Sequence, residues 1–138
     1  MTDFHGQKSI LNQELEHRIL RGLAMEWTHA VSVLGRMSSS LLRKPLFSLR
    51  DVRGQWGVWS RTRREIALSH NLVMNHSWDS VLEVLLHEIA HQYADEVLCA
   101  HNEPPHGPQF QKACYLLRAN PKASGNYPVL DEKISGES

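Results

Sequence analysis

Cysteine is scarce in this 138-residue chain: Cys99 and Cys114 are the only two, and no CxxC pair is spelled. Neither a disulfide framework nor a cysteine-built zinc ribbon is therefore supported. Two isolated thiols fit small residues, buried or half-buried, in a reducing compartment. Long apolar runs are missing as well. None approaches the ~18 residues of a membrane span, and MTDFHGQKSI has no apolar segment of the kind a secretory signal carries. A cytoplasmic protein with no membrane partner is expected. Charge of one sign is also lacking, since 15 Lys and Arg balance 15 Asp and Glu. The chain as a whole is not drawn to nucleic acid or membrane, and any such affinity must come from uneven distribution. What the chain has in excess is histidine, with nine copies. Its length and its 41% hydrophobic content suit one domain, which at this size buries about 68% of its unfolded surface.

The hydrophobic pattern divides the chain. From Ser9 to about Gly35, Leu11, Leu15, Ile19, Leu23, Trp27 and Val31 recur every four residues, the mark of an amphipathic helix. Gly22 is a candidate bend within it. A Ser-rich linker follows over Gly35–Ser40. Leu46–Arg50, Trp56–Ser60 and Glu65–Ser69 read as three short strands, with turns at Gly54 and Arg61–Arg64, and their close spacing predicts a small antiparallel meander. A second helix begins near Ser77–Ser80, where Ser80 and Glu83 have capping-box spacing. It is apolar nearly all round, as a buried central helix would be, and Pro104–Pro105 is its expected stop. Pro108 suits the first position of a third helix, whose apolar stripe is Phe110, Ala113, Cys114 and Leu117. The reading is therefore an α+β domain over residues 1–120, with a loose polar tail over 121–138.

His87-Glu88-Ile89-Ala90-His91, in the middle of that apolar helix, is an HExxH motif. Residues four apart on a helix differ by about 40° around the axis and about 6 Å along it, so two imidazoles there can share one ion. Glu88 falls about 60° around the axis from His91, beside the metal, where a general base is needed. Burying these three groups costs several kcal/mol unless they are paired or metal-bound. A catalytic zinc site needs a third protein ligand and an open position. Downstream candidates are Asp95, Glu96, His101, Glu103 and His106; His106, just past the Pro-Pro break, is favoured and His101 is its rival. A metzincin would place its third histidine at Val97, which excludes that class. The expected cofactor is one Zn2+ held by His87, His91 and His106, with Glu88 catalytic. Tyr93, His101 and Tyr115 are candidates for a second oxyanion donor.

The HExxH motif followed by His106-Gly107-Pro108-Gln109-Phe110 resembles the SprT/Spartan-like zinc metallopeptidase family, in which an HGxxF element supplies the third zinc ligand. The resemblance extends upstream through Ile66-Ala67-Leu68-Ser69 to the long first helix, roughly Leu11 to Arg118. It implies a zincin-like α+β fold: an N-terminal helix, a small three-stranded antiparallel sheet, a central HExxH helix and a further C-terminal helix. It also implies zinc-dependent cleavage of a protein or peptide substrate. The family's best-known branch acts on proteins crosslinked to DNA, which would place such a member at the nucleoid or in the nucleus. The cysteine zinc ribbon that many members carry is not spelled in this sequence.

The stretch from Arg36 to Arg64 is basic, with Arg36, Arg43, Lys44, Arg50, Arg53, Arg61, Arg63 and Arg64 against Asp51 alone. Trp56 and Trp59 are interleaved, a pattern that could hold single-stranded DNA by phosphate contacts and stacking. Two other readings stand beside the peptidase: a non-catalytic zinc-stabilised module binding nucleic acid or protein, and a zinc hydrolase of a non-peptide amide. Glu88 separates the first of these from an enzyme, because a purely structural site needs no base and favours a closed fourth ligand.

Overall fold

The computed structural model describes residues 2–35, 40–51 and 54–123, with side chains from residue 12 onward. Most of the expected linker, and the tail from residue 124, lie outside the described residues. Among the described residues the order is α1 (Thr2–Val31), β1 (Leu46–Leu49), β2 (Gly57–Ser60), β3 (Glu65–Leu68), α2 (His70–Asn75), α3 (Trp78–Glu96) and α4 (Pro108–Leu117).

The four-residue stripe of α1 delivers Leu23, Trp27 and Val31 to the core, while Leu15, nearer the N-terminus, is exposed. Helix α1 runs through Gly22 without a break. The Trp78 ring lies against that glycine, 3.5 Å from where a Cβ would stand.

The sheet is mixed, not the antiparallel meander expected from the spacing. Its order is β1-β3-β2, with β1 parallel to β3 and β2 antiparallel to it. Strand β3 carries Ile66, Ala67 and Leu68, all buried, and so takes the centre, covered on both faces. The tight turn at Arg61–Arg64 closes a β2–β3 hairpin, with Arg64 at φ 46°. The β1–β2 connection is long enough to leave a slot between those two strands, and β3 fills it.

Ser69 then caps α2, its hydroxyl accepting from the Leu72 N–H. The sequence reading did not include this short helix. Helix α3 is capped by Ser77, which accepts from the Ser80 N–H, with Asp79 in its first turn. The cap thus sits three residues before the expected Ser80–Glu83 box. Helix α3 also ends well short of the Pro-Pro pair. The Leu98 N–H returns to the Tyr93 carbonyl and the Ala100 N–H to the Ala94 carbonyl, with Cys99 at φ 53°. The helix is thus closed by backbone bonds reaching five and six residues back, with a positive φ two residues past its C-cap. This closure frees the segment from Val97 to Gly107 to fold back across the helix. Helix α4 buries Phe110, Ala113, Cys114 and Leu117, the stripe read from the sequence.

A polar network fastens these layers. The Trp27 indole donates to Gln92 Oε1 at 2.8 Å, and Gln92 Nε2 donates to the Arg43 carbonyl at 2.7 Å and to Glu96 at 2.9 Å. Arg64 grips Glu96 through two bonds of 2.6 and 2.7 Å. Burial works against the Glu96 charge, but the bonds from Arg64 and Gln92 outweigh it and hold the carboxyl below its ordinary value. Gln92 and Glu96 thus fix the rotation of α3, the helix that carries the motif.

Candidate metal centre

Helix α3 places His87 and His91 on one face, their ring centroids 4.9 Å apart. The returning segment brings in His106, whose ring lies 5.2 Å from that of His87 and 5.1 Å from that of His91. Ligand atoms of the three lie within 4.8 Å of one another, a group that could hold a metal ion. His87 is fully buried, and His106 is exposed. The group is therefore walled on one side and open on the other, as a catalytic site requires.

The chemistry of His87 supplies the test of fit. Its Nδ1 lies 3.0 Å from the carbonyl oxygen of Asn120. A carbonyl only accepts, so Nδ1 carries the hydrogen and Nε2 keeps its lone pair. That Nε2 is buried with no hydrogen-bond partner among the described residues. An orphaned acceptor of this kind costs about 1–3 kcal/mol, and a cation shared with His91 and His106 would satisfy it. The backbone carbonyl behind the ring is the usual outer support of a metal-binding histidine. Burial lowers the pKa of His87, with the charge of His106 adding to it against the Asn120 bond. Burial, then His87 and His106, push His91 down to about 3. Both imidazoles are neutral at pH 7 and ready to donate.

Phe110 holds the three rings in place. It stacks on His91 at 4.2 Å and on His106 at 4.7 Å, and meets His87 edge-on at 5.0 Å. The path from His106 to Phe110 explains the glycine between them. Gly107 has φ −74°, so it is not there for a left-handed conformation. A Cβ at that position would stand 3.1 Å from the Pro104 carbonyl oxygen and 3.0 Å from Glu103 Oε1. Glu103 Oε1 in turn accepts from the Gln109 N–H at 3.0 Å, capping α4 where Gly107 has no side chain to do so.

Glu88 is 2% exposed and lines a cleft of about 610 Å³ together with His91 and His106. Strand β2 forms the facing wall. At Gly57 a Cβ would fall 2.8 Å from Leu68 Cδ2, 2.9 Å from Val84 Cγ1 and 3.2 Å from Glu88 Cγ. Only glycine lets β2 come this close to Leu68, Val84 and the Glu88 side chain.

The structure thus brings together His87, Glu88, His91 and His106 and sorts the other candidates. His101 lines the cleft, but its Nε2 donates to the Asp95 carbonyl at 3.2 Å and it stands outside the three-histidine group. Asp95 accepts the Trp59 indole at 2.6 Å, and Glu96 faces Arg64. Tyr93 is buried, Tyr115 is 84% exposed, and neither lines the cleft. Sequence reasoning missed the contributions of Gly57, Glu103 and the Asn120 carbonyl. The HGxxF spacing was the one signal that pointed to Phe110.

In the basic stretch, Arg50 and Arg63 pair with Glu65 and Arg64 pairs with Glu96, while Arg36 and Arg53 lie outside the described residues. Trp56 and Trp59 are both half-buried against the core. No described helix is long and apolar enough to cross a membrane.

No curated protein and no solved structure matched the chain. The SprT-like family matches residues 9–129, a span that takes in the helix of His87 and His91, the His106 element and Phe110, and the chain belongs to that family.

Proposed function

We propose that this chain is a zinc-dependent peptidase in which His87, His91 and His106 hold one Zn2+ and Glu88 is the general base. The observation that carries this reading is the buried Nε2 of His87, without a partner among the described residues, beside two further imidazoles that line the same cleft as Glu88. A zinc ion held there supplies the Lewis acidity that polarises a peptide carbonyl and makes water easier to deprotonate.

The remaining steps belong to the chain's own residues. Glu88 takes the proton from the attacking water and returns it to the leaving amine. Gly57 leaves room for the Glu88 side chain, since a Cβ there would stand 3.2 Å from Glu88 Cγ. Phe110 and the Asn120 carbonyl hold the imidazoles in place, so little reorganisation accompanies the reaction. Of the two edge strands of the sheet, β1 and β2, β2 is the one that walls the cleft, and an extended peptide can add along it as a further strand. A purely structural zinc site would not place a buried carboxylate on an open cleft, which favours the enzyme over the non-catalytic module.

Single-stranded DNA contact is the second part of the proposal. Arg43, Lys44 and Arg61 are exposed and make no ion pair among the described residues. A phosphate backbone would be held by Arg43 and Lys44, because Arg50, Arg63 and Arg64 are already paired and Arg61 lines the cleft instead.

Glu88→Gln keeps the shape of the side chain and removes its basicity. The variant is expected to bind zinc as the wild type does and to lose at least about a hundredfold in cleavage rate. Cleavage of a denatured protein by both, at matched zinc content, checks this. Equal rates would remove Glu88 from the mechanism. Carrying out the same assay with added single-stranded DNA tests the second part, which falls if neither rate nor binding changes.

A further inference from the structure

We infer that Arg61 forms a subsite for an acidic side chain of the substrate, about four residues away from the cleaved bond. The inference rests on the peptidase reading and extends it to substrate selection. Gly57, Val58, Trp59 and Arg61 line the β2 side of the cleft, facing Glu88 and His91. Gly57 marks the level of the chemistry, because it is the residue packed against Glu88. Arg61 follows four positions later, where β2 ends and the turn begins. At 3.2–3.4 Å per residue the two are about 13 Å apart. A peptide paired with β2 advances at the same rise, so the residue facing Arg61 is three to five positions from the bond facing Gly57.

The charges along this wall make Arg61 the cation able to take a partner. Arg63 and Arg64, its neighbours in the turn, are paired with Glu65 and Glu96. The acidic groups in the cleft are engaged as well: Asp95 Oδ2 accepts from Trp59 and Glu103 Oε1 from Gln109. Arg61 is exposed and makes no ion pair among the described residues. A guanidinium is always charged, and its planar fork matches a carboxylate through two parallel hydrogen bonds. The pair would form at the solvent-open end of the cleft, where such contacts are modest. The expected preference for an acid over a neutral residue is therefore about threefold in kcat/KM.

The test uses the zinc-loaded full chain and a proteome-derived peptide library, with cleavage sites read by mass spectrometry. The wild type is expected to enrich Asp and Glu three to five residues from the cleaved bond, on one side only. Arg61→Ala should erase that enrichment, and Arg61→Glu should replace it with Lys and Arg at the same positions. Cleavage with no acidic enrichment, or with enrichment that survives both substitutions, overturns the subsite and leaves the peptidase reading standing. Absence of any cleavage above that of Glu88→Gln overturns both. A preference that depends on Arg61 only when single-stranded DNA is added assigns the residue to nucleic acid and also overturns the subsite.

Discussion

At the scale of single residues, the centre depends on how closely groups approach one another. Gly57 is the clearest case. A methyl group there meets Leu68 and Val84 at 2.8 and 2.9 Å, and Glu88 Cγ at 3.2 Å. Something must shift, and Glu88 is among the groups displaced. Gly57→Ala is expected to lose about 1–3 kcal/mol of stability by overpacking and to lower kcat well beyond that, while zinc content stays near one per chain. Thermal melts, zinc analysis and kinetics on the same samples would check it; an unchanged kcat would mean that β2 does not position the base. The grouping of three histidines was legible in the sequence, because HExxH places two imidazoles by helix geometry alone and His106 stands just past the Pro-Pro break at the head of the HGxxF element. The need for glycine at 57 was not legible, since it arises from the meeting of two elements distant in sequence. The same holds for Glu103 and the Asn120 carbonyl, whose roles are set by where the chain returns after a helix.

At the scale of elements, strong local signals were readable and tertiary ones were not. The four-residue stripe fixed α1, and Pro108 with its apolar stripe fixed α4. The end of α3 was misplaced because the Pro-Pro pair is a visible stop, whereas the real closure uses Cys99 in a left-handed conformation that a cysteine does not advertise. The parallel pairing of β1 and β3 was hidden because short spacing suggests hairpins, and strand order is decided by which strand can be buried on both faces. Gly22 offers a test at this scale. It lies inside a continuous helix, with room for a Cβ at ordinary contact distance from the Trp78 ring. Gly22→Ala is expected to raise stability by about 0.5–1 kcal/mol through helix propensity. Denaturant unfolding would measure it, and a loss of stability would show that the Trp78 ring needs the glycine.

At the scale of the whole molecule, the network of Trp27, Gln92, Glu96 and Arg64 ties α1, α3 and the β2–β3 turn together, so one wall of the cleft is fastened to the helix that carries His87 and His91. Glu96 is held below its ordinary pKa, despite burial, by Arg64 and Gln92. Its contribution to stability is therefore present above the unfolded carboxylate value of about 4.5 and is lost as pH falls through the lower folded value. Arg64→Ala should cost about 1–3 kcal/mol at pH 7 and flatten that acid-dependent loss; unfolding curves of both proteins from pH 7 to pH 3 would show it, and parallel curves would contradict it. The account as a whole stands on one ion shared by three imidazoles. Zinc titration into the metal-free protein, wild type beside His106→Ala, tests that most directly. One site per chain in the wild type, weakened at least about tenfold by the substitution, is the predicted result. Equal affinity in the two proteins would contradict it.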